Sequence, residues 1–86
     1  MLQHNIEAIH RLTIVEGLPV MVFSRDELSE ETLLPSGSFE LFWYTFNEKD
    51  GKFYGSMEVI PNLENIEENV ELLMKQAAQT IAGLKK

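Results

Sequence analysis

The sequence contains no cysteine, so the fold depends on neither disulfide bonds nor thiolate-bound metal ions. No stretch approaches the roughly 20 consecutive apolar residues that cross a bilayer. The first seven residues, Met1 to Glu7, also lack the basic region and the apolar run of a signal peptide. We therefore expect a soluble, cytoplasmic protein that does not have a membrane as a partner.

Basic residues are scarce: 7 lysines and arginines stand against 14 acids, which gives a formal net charge of -7. A protein binds a phosphate backbone or an anionic membrane by placing lysine and arginine against the phosphates, so this charge disfavours both. An acidic surface instead speeds the encounter with a basic partner. We expect the partner to be another protein, one with a basic surface in particular.

Sequence signatures of catalysis are missing as well. No serine has the flanking glycines of a nucleophile elbow, and Gly51-Lys52 has no upstream glycine at P-loop spacing. His4 and His10 flank Glu7, but helical metal-binding pairs usually stand four residues apart rather than six. The sequence therefore predicts no catalytic residue, no metal site and no cofactor, and a protein that is not an enzyme.

The length of 86 residues allows one domain, which spans residues 1–86. The composition, 44% hydrophobic and 24% charged residues, is typical of a globular chain. The clearest element is a C-terminal helix from about Leu63 to Leu84, with Pro61-Asn62 as its stop and N-cap. Apolar residues recur there in steps of three and four, as in a helix that packs on a core. They are Leu63, Ile66, Val70, Leu73, Ala77 and Leu84.

An aromatic hairpin precedes this helix, with strands at 39–46 and 52–60. In the register that we prefer, a type I turn ends at Gly51 in the left-handed conformation, Glu48 faces Lys52 and Trp43 faces Met57. A two-residue Asp50-Gly51 turn would instead place Trp43 opposite Glu58. The preferred register gathers four apolar side chains on one face, Leu41, Trp43, Met57 and Val59.

The first third is less regular, with strand-like segments at 12–15 and 18–23. Leu2 to Arg11 has the apolar spacing of a short helix, and Ser24 to Glu27 has the capping-box spacing of another that runs to Leu34. The predicted class is α+β: an antiparallel sheet of three or four strands with a long C-terminal helix packed on one face, and an N-terminal helix as an optional addition.

Two groups of residues are candidates for binding a partner. In the preferred register Phe42, Tyr44, Phe46 and Tyr54 share the face away from the helix with Glu58. They form either an exposed aromatic patch or a second core layer, covered by the first-third strands or by the segment 24–38. Four acids crowd one side of the helix, either as a solvated face that suits the helix dipole or as a docking strip. They are Glu64, Glu67, Glu68 and Glu71.

Our leading hypothesis is a non-enzymatic protein-binding factor, such as an adaptor, an inhibitor, an immunity-like protein or a chaperone-like protein. The second is a homodimer that binds a small ligand or has weak catalytic activity at its interface. The third is an acidic mimic of nucleic acid.

Overall fold

A computed structural model describes residues 7–84 of the chain, with the side chain of Glu7 left aside. Four strands and one helix follow in order: β1 (Glu7–Val15), β2 (Leu18–Leu28), β3 (Pro35–Asn47), β4 (Lys52–Ile60) and α1 (Ile66–Leu84). The strands form one antiparallel sheet in the order β1-β2-β3-β4, so each strand pairs with its neighbour in the chain. The α+β class and the single C-terminal helix on a four-stranded sheet are confirmed.

The core lies on one face of the sheet. Strand residues with side chains on that face meet α1, which packs over β1, β2 and β3. The helix contributes every third or fourth residue, as its period of 3.6 requires. The buried apolar residues are Val20, Val22, Leu41, Trp43, Ile60, Val70, Leu73, Ala77 and Ile81.

The helix begins one turn later than predicted. Asn62 Oδ1 accepts a hydrogen bond from the Glu64 backbone N–H at 3.0 Å, so Asn62 caps a turn that precedes α1. The first α-helical bond runs from Asn69 N–H to the carbonyl of Asn65, at 3.1 Å. Asn65 is therefore the residue at the N-cap position, and Leu63 lies in the preceding turn.

The prediction of a helix over Leu2 to Arg11 is wrong for its second half, because Glu7 to Arg11 belong to β1 and pair with β2. Residues 1–6 lie outside the described residues. The spacing of Ile9, Leu12 and Ile14 is not strictly alternating because a bulge between Ile9 and Arg11 inserts one residue into the strand. That bulge hides the period of two that otherwise identifies a strand.

The helix expected from Ser24 to Leu34 is also wrong. The β2 strand continues to Leu28, and Ser24 is buried in the sheet, where its Oγ is hydrogen-bonded to His10 Nε2 at 2.7 Å. A turn then closes between Ser29 and Leu34, whose backbone groups bond at 2.9 Å. Sheet pairing on both sides of β2 satisfies more backbone groups than one short helical turn would.

The β3–β4 hairpin has a different register from both alternatives above. Asn47 pairs with Lys52 and Trp43 with Ser56, which leaves a loop of four residues, 48–51. Three bonds hold this loop: Gly51 N–H to the Asn47 carbonyl at 2.8 Å, Lys49 N–H to Asn47 Oδ1 at 3.2 Å and Lys52 N–H to Asp50 Oδ1 at 3.0 Å. Gly51 has φ 71°, the left-handed conformation expected of it.

This shift by one residue reverses the two faces of β4. Met57 and Val59 lie away from the helix, and not beside Leu41 and Trp43 as the preferred register required. Tyr54 and Glu58 lie on the helix side instead. The prediction for the faces of β3 was correct, because Leu41 and Trp43 are both in the core.

Candidate protein-binding surface

The face of the sheet opposite α1 is apolar, and no element within residues 7–84 packs on it. Each strand contributes side chains at alternate positions, and the register aligns them in rows across all four strands. We call this set the open face. It consists of Ile9, Leu12, Ile14, Met21, Phe23, Phe42, Tyr44, Phe46, Phe53, Met57 and Val59.

The most exposed members of the open face lie on the two outer strands. Leu12 and Ile14 of β1 are 70% and 71% exposed, and Phe53 of β4 is 69% exposed. With strands about 4.8 Å apart and three rows about 7 Å apart, the projected area is on the order of 400 Å². The accessible area exceeds this projection because the side chains protrude. A patch of about 400 Å² matches the largest apolar patch of a typical single chain, and such a patch is often functional.

Ring contacts hold the central aromatic residues of the open face in place. Phe23 stacks on Phe42 with ring centroids 4.9 Å apart and meets the edge of Tyr44 at 5.8 Å. Phe53 lies 4.8 Å from Phe46 and 6.0 Å from Tyr44. Because these rings already contact one another, they lose little conformational freedom when a partner covers them.

One ion pair marks the end of the open face. Arg25 Nε donates to Glu40 Oε1 at 2.8 Å, and the guanidinium lies 4.7 Å from the centroid of Phe42. The two charges neutralise each other, and the cation also contacts a ring. The open face therefore has an uncharged centre and a balanced charge pair at its edge.

Three of the four predicted aromatic residues lie together on the open face: Phe42, Tyr44 and Phe46. Tyr54 does not join them, because the register places it on the helix side. Phe53 takes its place. Of the two sequence alternatives for these rings, the exposed patch agrees with the structure, and the second core layer does not, since β1 and β2 extend the same sheet and do not cover it.

Tyr54 instead makes a local contact with the hairpin loop. Its hydroxyl donates a hydrogen bond to Asp50 Oδ2, the partner carboxylate in the loop. This bond lowers the pKa of Asp50 below its ordinary value and raises the pKa of Tyr54, because it favours the ionised acid and the protonated phenol. Tyr54 therefore stabilises the loop conformation that sets the hairpin register.

Glu58 was predicted beside the aromatic residues, and the structure places it on the opposite side of the sheet. It pairs with Leu41 on the helix face of β4. Its Oε1 is buried and has no hydrogen-bond partner among residues 7–84. Glu58 therefore belongs to the less covered end of the helix layer and is not part of the open face.

The four acids near the start of the helix do not form one free strip. Arg11 of β1 contacts two of them, donating from Nη1 to Glu71 Oε1 at 2.6 Å and lying 3.8 Å from Glu67 Oε2 through Nη2. Glu68 is exposed, and Glu64 precedes the helix. Two of the four predicted acids thus connect α1 to β1.

The open face also includes residues that sequence reasoning did not select, mainly on the first two strands: Ile9, Leu12, Ile14, Met21 and Phe23. The alternation of Met21 and Phe23 with the buried Val20 and Val22 was present in the sequence. Four apolar residues in a row predict a strand that is covered on both faces, and they concealed the fact that one face is open.

A cleft of about 550 Å³ lies at the end of the sheet, where the β1–β2 turn, the β3–β4 loop and the end of α1 meet. Its lining includes Leu18, Phe46, Asn47, Lys49 and Leu84. A cleft of this volume falls in the range of small-molecule sites.

Within residues 7–84, no group of three or more His, Asp or Glu side chains is arranged to hold a metal ion. The helix α1 of this part of the chain is not long and apolar enough to cross a membrane. Comparison of the chain with protein-family models, with curated proteins and with solved structures gave no significant match.

Proposed function

We propose that this chain is a non-enzymatic protein-binding domain that uses the open face to dock on an apolar surface of another protein. The observation that supports this function is an apolar sheet face of eleven side chains that no described element covers. A two-layer domain normally buries each apolar face against another layer. The partner would supply that missing layer.

The open face is large enough to support binding. Covering about 400 Å² of apolar surface on this chain contributes roughly 10 kcal/mol before costs. Association costs about 4–15 kcal/mol in lost rigid-body freedom. Burial of the partner's apolar surface contributes a similar favourable free energy. A stable complex therefore requires close shape complementarity between the two apolar surfaces and no additional charged contacts.

The charge distribution directs the choice of partner surface. Arg25 and Glu40 pair with each other, so the described side chains of the open face carry no excess charge that would require a basic partner at the point of contact. The overall charge of -7 is carried elsewhere, on α1 and the loops, and would accelerate encounter with a basic protein without forming the contact. We infer an apolar contact surface on a protein that is basic around it.

The test is capture of partners from an extract of the source cells with three tagged forms of the chain. Wild type is compared with Leu12→Ser/Phe53→Ser, which changes two of the most exposed open-face residues, and with Leu72→Ser. Leu72 is the matched control because it is 53% exposed and lies on α1, on the other side of the sheet. We expect one stoichiometric partner that resists a high-salt wash with wild type and Leu72→Ser and is lost with the double variant.

The proposal would be contradicted if none of the three forms captured a partner, or if all three captured the same partner equally well. Circular dichroism of each variant separates loss of binding from loss of folding. A partner released by salt alone would instead support binding through the acids of α1.

The mimicry hypothesis receives less support, because Arg11 engages Glu67 and Glu71 and shortens the run of free negative charge. The small-ligand hypothesis has one observation in its favour, the cleft lined by Asn47 and Lys49. Thermal stabilisation by a panel of small metabolites, abolished by Asn47→Leu and unaffected by Leu12→Ser, would establish that second function.

A further inference from the structure

The sheet has two outer edges, and they differ in how they are protected. The β1 edge has the bulge near Ile9, and Arg11 ties it to α1. The β4 strand has no register shift over its nine residues and only β3 as a neighbour within the described chain. Proteins protect exposed edges with bulges, charges and covering elements. The β4 edge has charges but, among residues 7–84, neither a bulge nor a covering element, so it is a template for another strand.

The β4 strand is also the least covered strand of the sheet. The helix packs over β1, β2 and β3, and six of the nine residues of β4 are exposed, whereas Ile60 at its end belongs to the core. The strand has a lysine at one end, Lys52, and Glu58 near the other. Neither forms an ion pair among residues 7–84.

We propose that β4 pairs in an antiparallel manner with β4 of a second copy of this chain, centred on Ser56. A twofold axis through Ser56 aligns Lys52 with Ile60, Phe53 with Val59, Tyr54 with Glu58 and Gly55 with Met57 of the other copy. All nine residues of the strand then have a partner, and two sheets of four strands become one continuous sheet of eight.

Charge complementarity selects a second copy over other strands. In this register Lys52 and Glu58 of the two copies are diagonal neighbours on the same face, about 7–8 Å apart at the backbone and within reach of long side chains. The Glu58 carboxylate, whose buried Oε1 lacks a hydrogen-bond partner among residues 7–84, thereby gains a cation near its other oxygen. The symmetry forms this contact twice.

The same pairing agrees with the open face. Phe53 and Val59 lie on it and meet each other across the axis, an aromatic and β-branched pair of the kind that stabilises adjacent strands. The two open faces become one continuous surface. Dimer formation does not require the proposed function, since the backbone of β4 forms the pairing and no partner has to cover the open face, although Phe53 and Val59 belong to both surfaces.

The first test uses single cysteines, because the chain has none of its own. In the proposed register residue 56 faces its own copy at a Cα–Cα distance of about 4.5 or 5.5 Å, which a disulfide spans. We expect Ser56→Cys to form a disulfide-linked dimer under mild oxidation. Thr13→Cys on the other edge strand is the matched control, and it should remain largely unlinked at the same concentration.

The second test reverses the charges and measures the dimer dissociation constant by sedimentation equilibrium. We expect Lys52→Glu to weaken the dimer about tenfold, and Lys52→Glu with Glu58→Lys to restore most of the affinity. Leu12→Ser should leave the dimer unchanged, because Leu12 lies on the far edge of the sheet.

Three results would overturn the proposal: a chain that stays monomeric at hundreds of micromolar, a dimer that Ser56→Cys fails to link, or a dimer that Leu12→Ser abolishes. The last would indicate that two open faces stack on each other instead. Loss of partner capture by Leu12→Ser with an intact dimer would separate the edge from the open face.

Discussion

Gly55 offers the sharpest test of the hairpin register, because the structure leaves no room for a side chain there. A Cβ atom built at Gly55 would clash with the carbonyl oxygen of Trp43 and lie 2.9 Å from Tyr44 Cβ. The first of these neighbours is backbone, which cannot move without shifting β3 itself. The Gly55→Ala variant should therefore push β4 away from β3.

The expected cost is that of overpacking, about 1–3 kcal/mol. A domain of this size has a total stability of roughly 4–13 kcal/mol, so this loss is a large fraction of it. Gly83→Ala is the matched control: no atom lies within 4 Å of its built Cβ, and it lies in α1. There alanine should be neutral or stabilise by up to about 1 kcal/mol.

Urea denaturation followed by Trp43 fluorescence measures both variants at one protein concentration. Trp43 is the single tryptophan and is 2% exposed, so unfolding moves it from the core to water. Equal midpoints for Gly55→Ala and wild type would refute the close approach of β4 to β3 and, with it, the observed register.

Two further predictions concern the helix and the hairpin loop. Leu73→Ala should cost about 2–5 kcal/mol, because Leu73 is 1% exposed, whereas Leu72→Ala at the neighbouring 53% exposed position should cost far less in the same denaturation assay. The hydrogen bond from the Tyr54 hydroxyl lowers the pKa of Asp50 in the folded state. The bond therefore stabilises the fold fully above the unfolded pKa of about 3.9. That stabilisation is lost as the pH falls through the lower pKa that Asp50 has in the folded state. Tyr54→Phe should raise the pKa of Asp50 in an NMR titration of its carboxyl carbon, and an unchanged pKa would show that the bond does not form in solution.

The sequence predicted those elements whose periods are uninterrupted. The helix follows from Val70, Leu73, Ala77 and Ile81, which recur at helical spacing and all lie in the core. The β3 strand follows from its dense aromatic residues. Local patterns of this kind are visible in one segment alone, because they reflect which side of that segment is buried.

The first strand and the end of the second were not predictable in the same way. The bulge near Ile9 breaks the alternation of β1, and the capping-box spacing at Ser24 imitates a helix start. In both places pairing with β2 or β3 outweighs the local preference. That pairing partner lies outside the segment, in the neighbouring strand, and leaves no mark on the segment itself.

By itself the sequence determined the α+β class, the helix stripe and the two faces of β3, because each depends on which side of one segment is apolar. Only the tertiary structure decided the faces of β4 and the existence of the open face. A one-residue change in the loop after Asn47 moves Met57, Val59 and Glu58 to the opposite side of the sheet from the one each was predicted to occupy. The hydrogen bonds that Asn47 and Asp50 accept within the loop fix the observed register. The residues that face solvent on a sheet are fixed by its pairing, so the candidate binding surface could be found only once all four strands were in register.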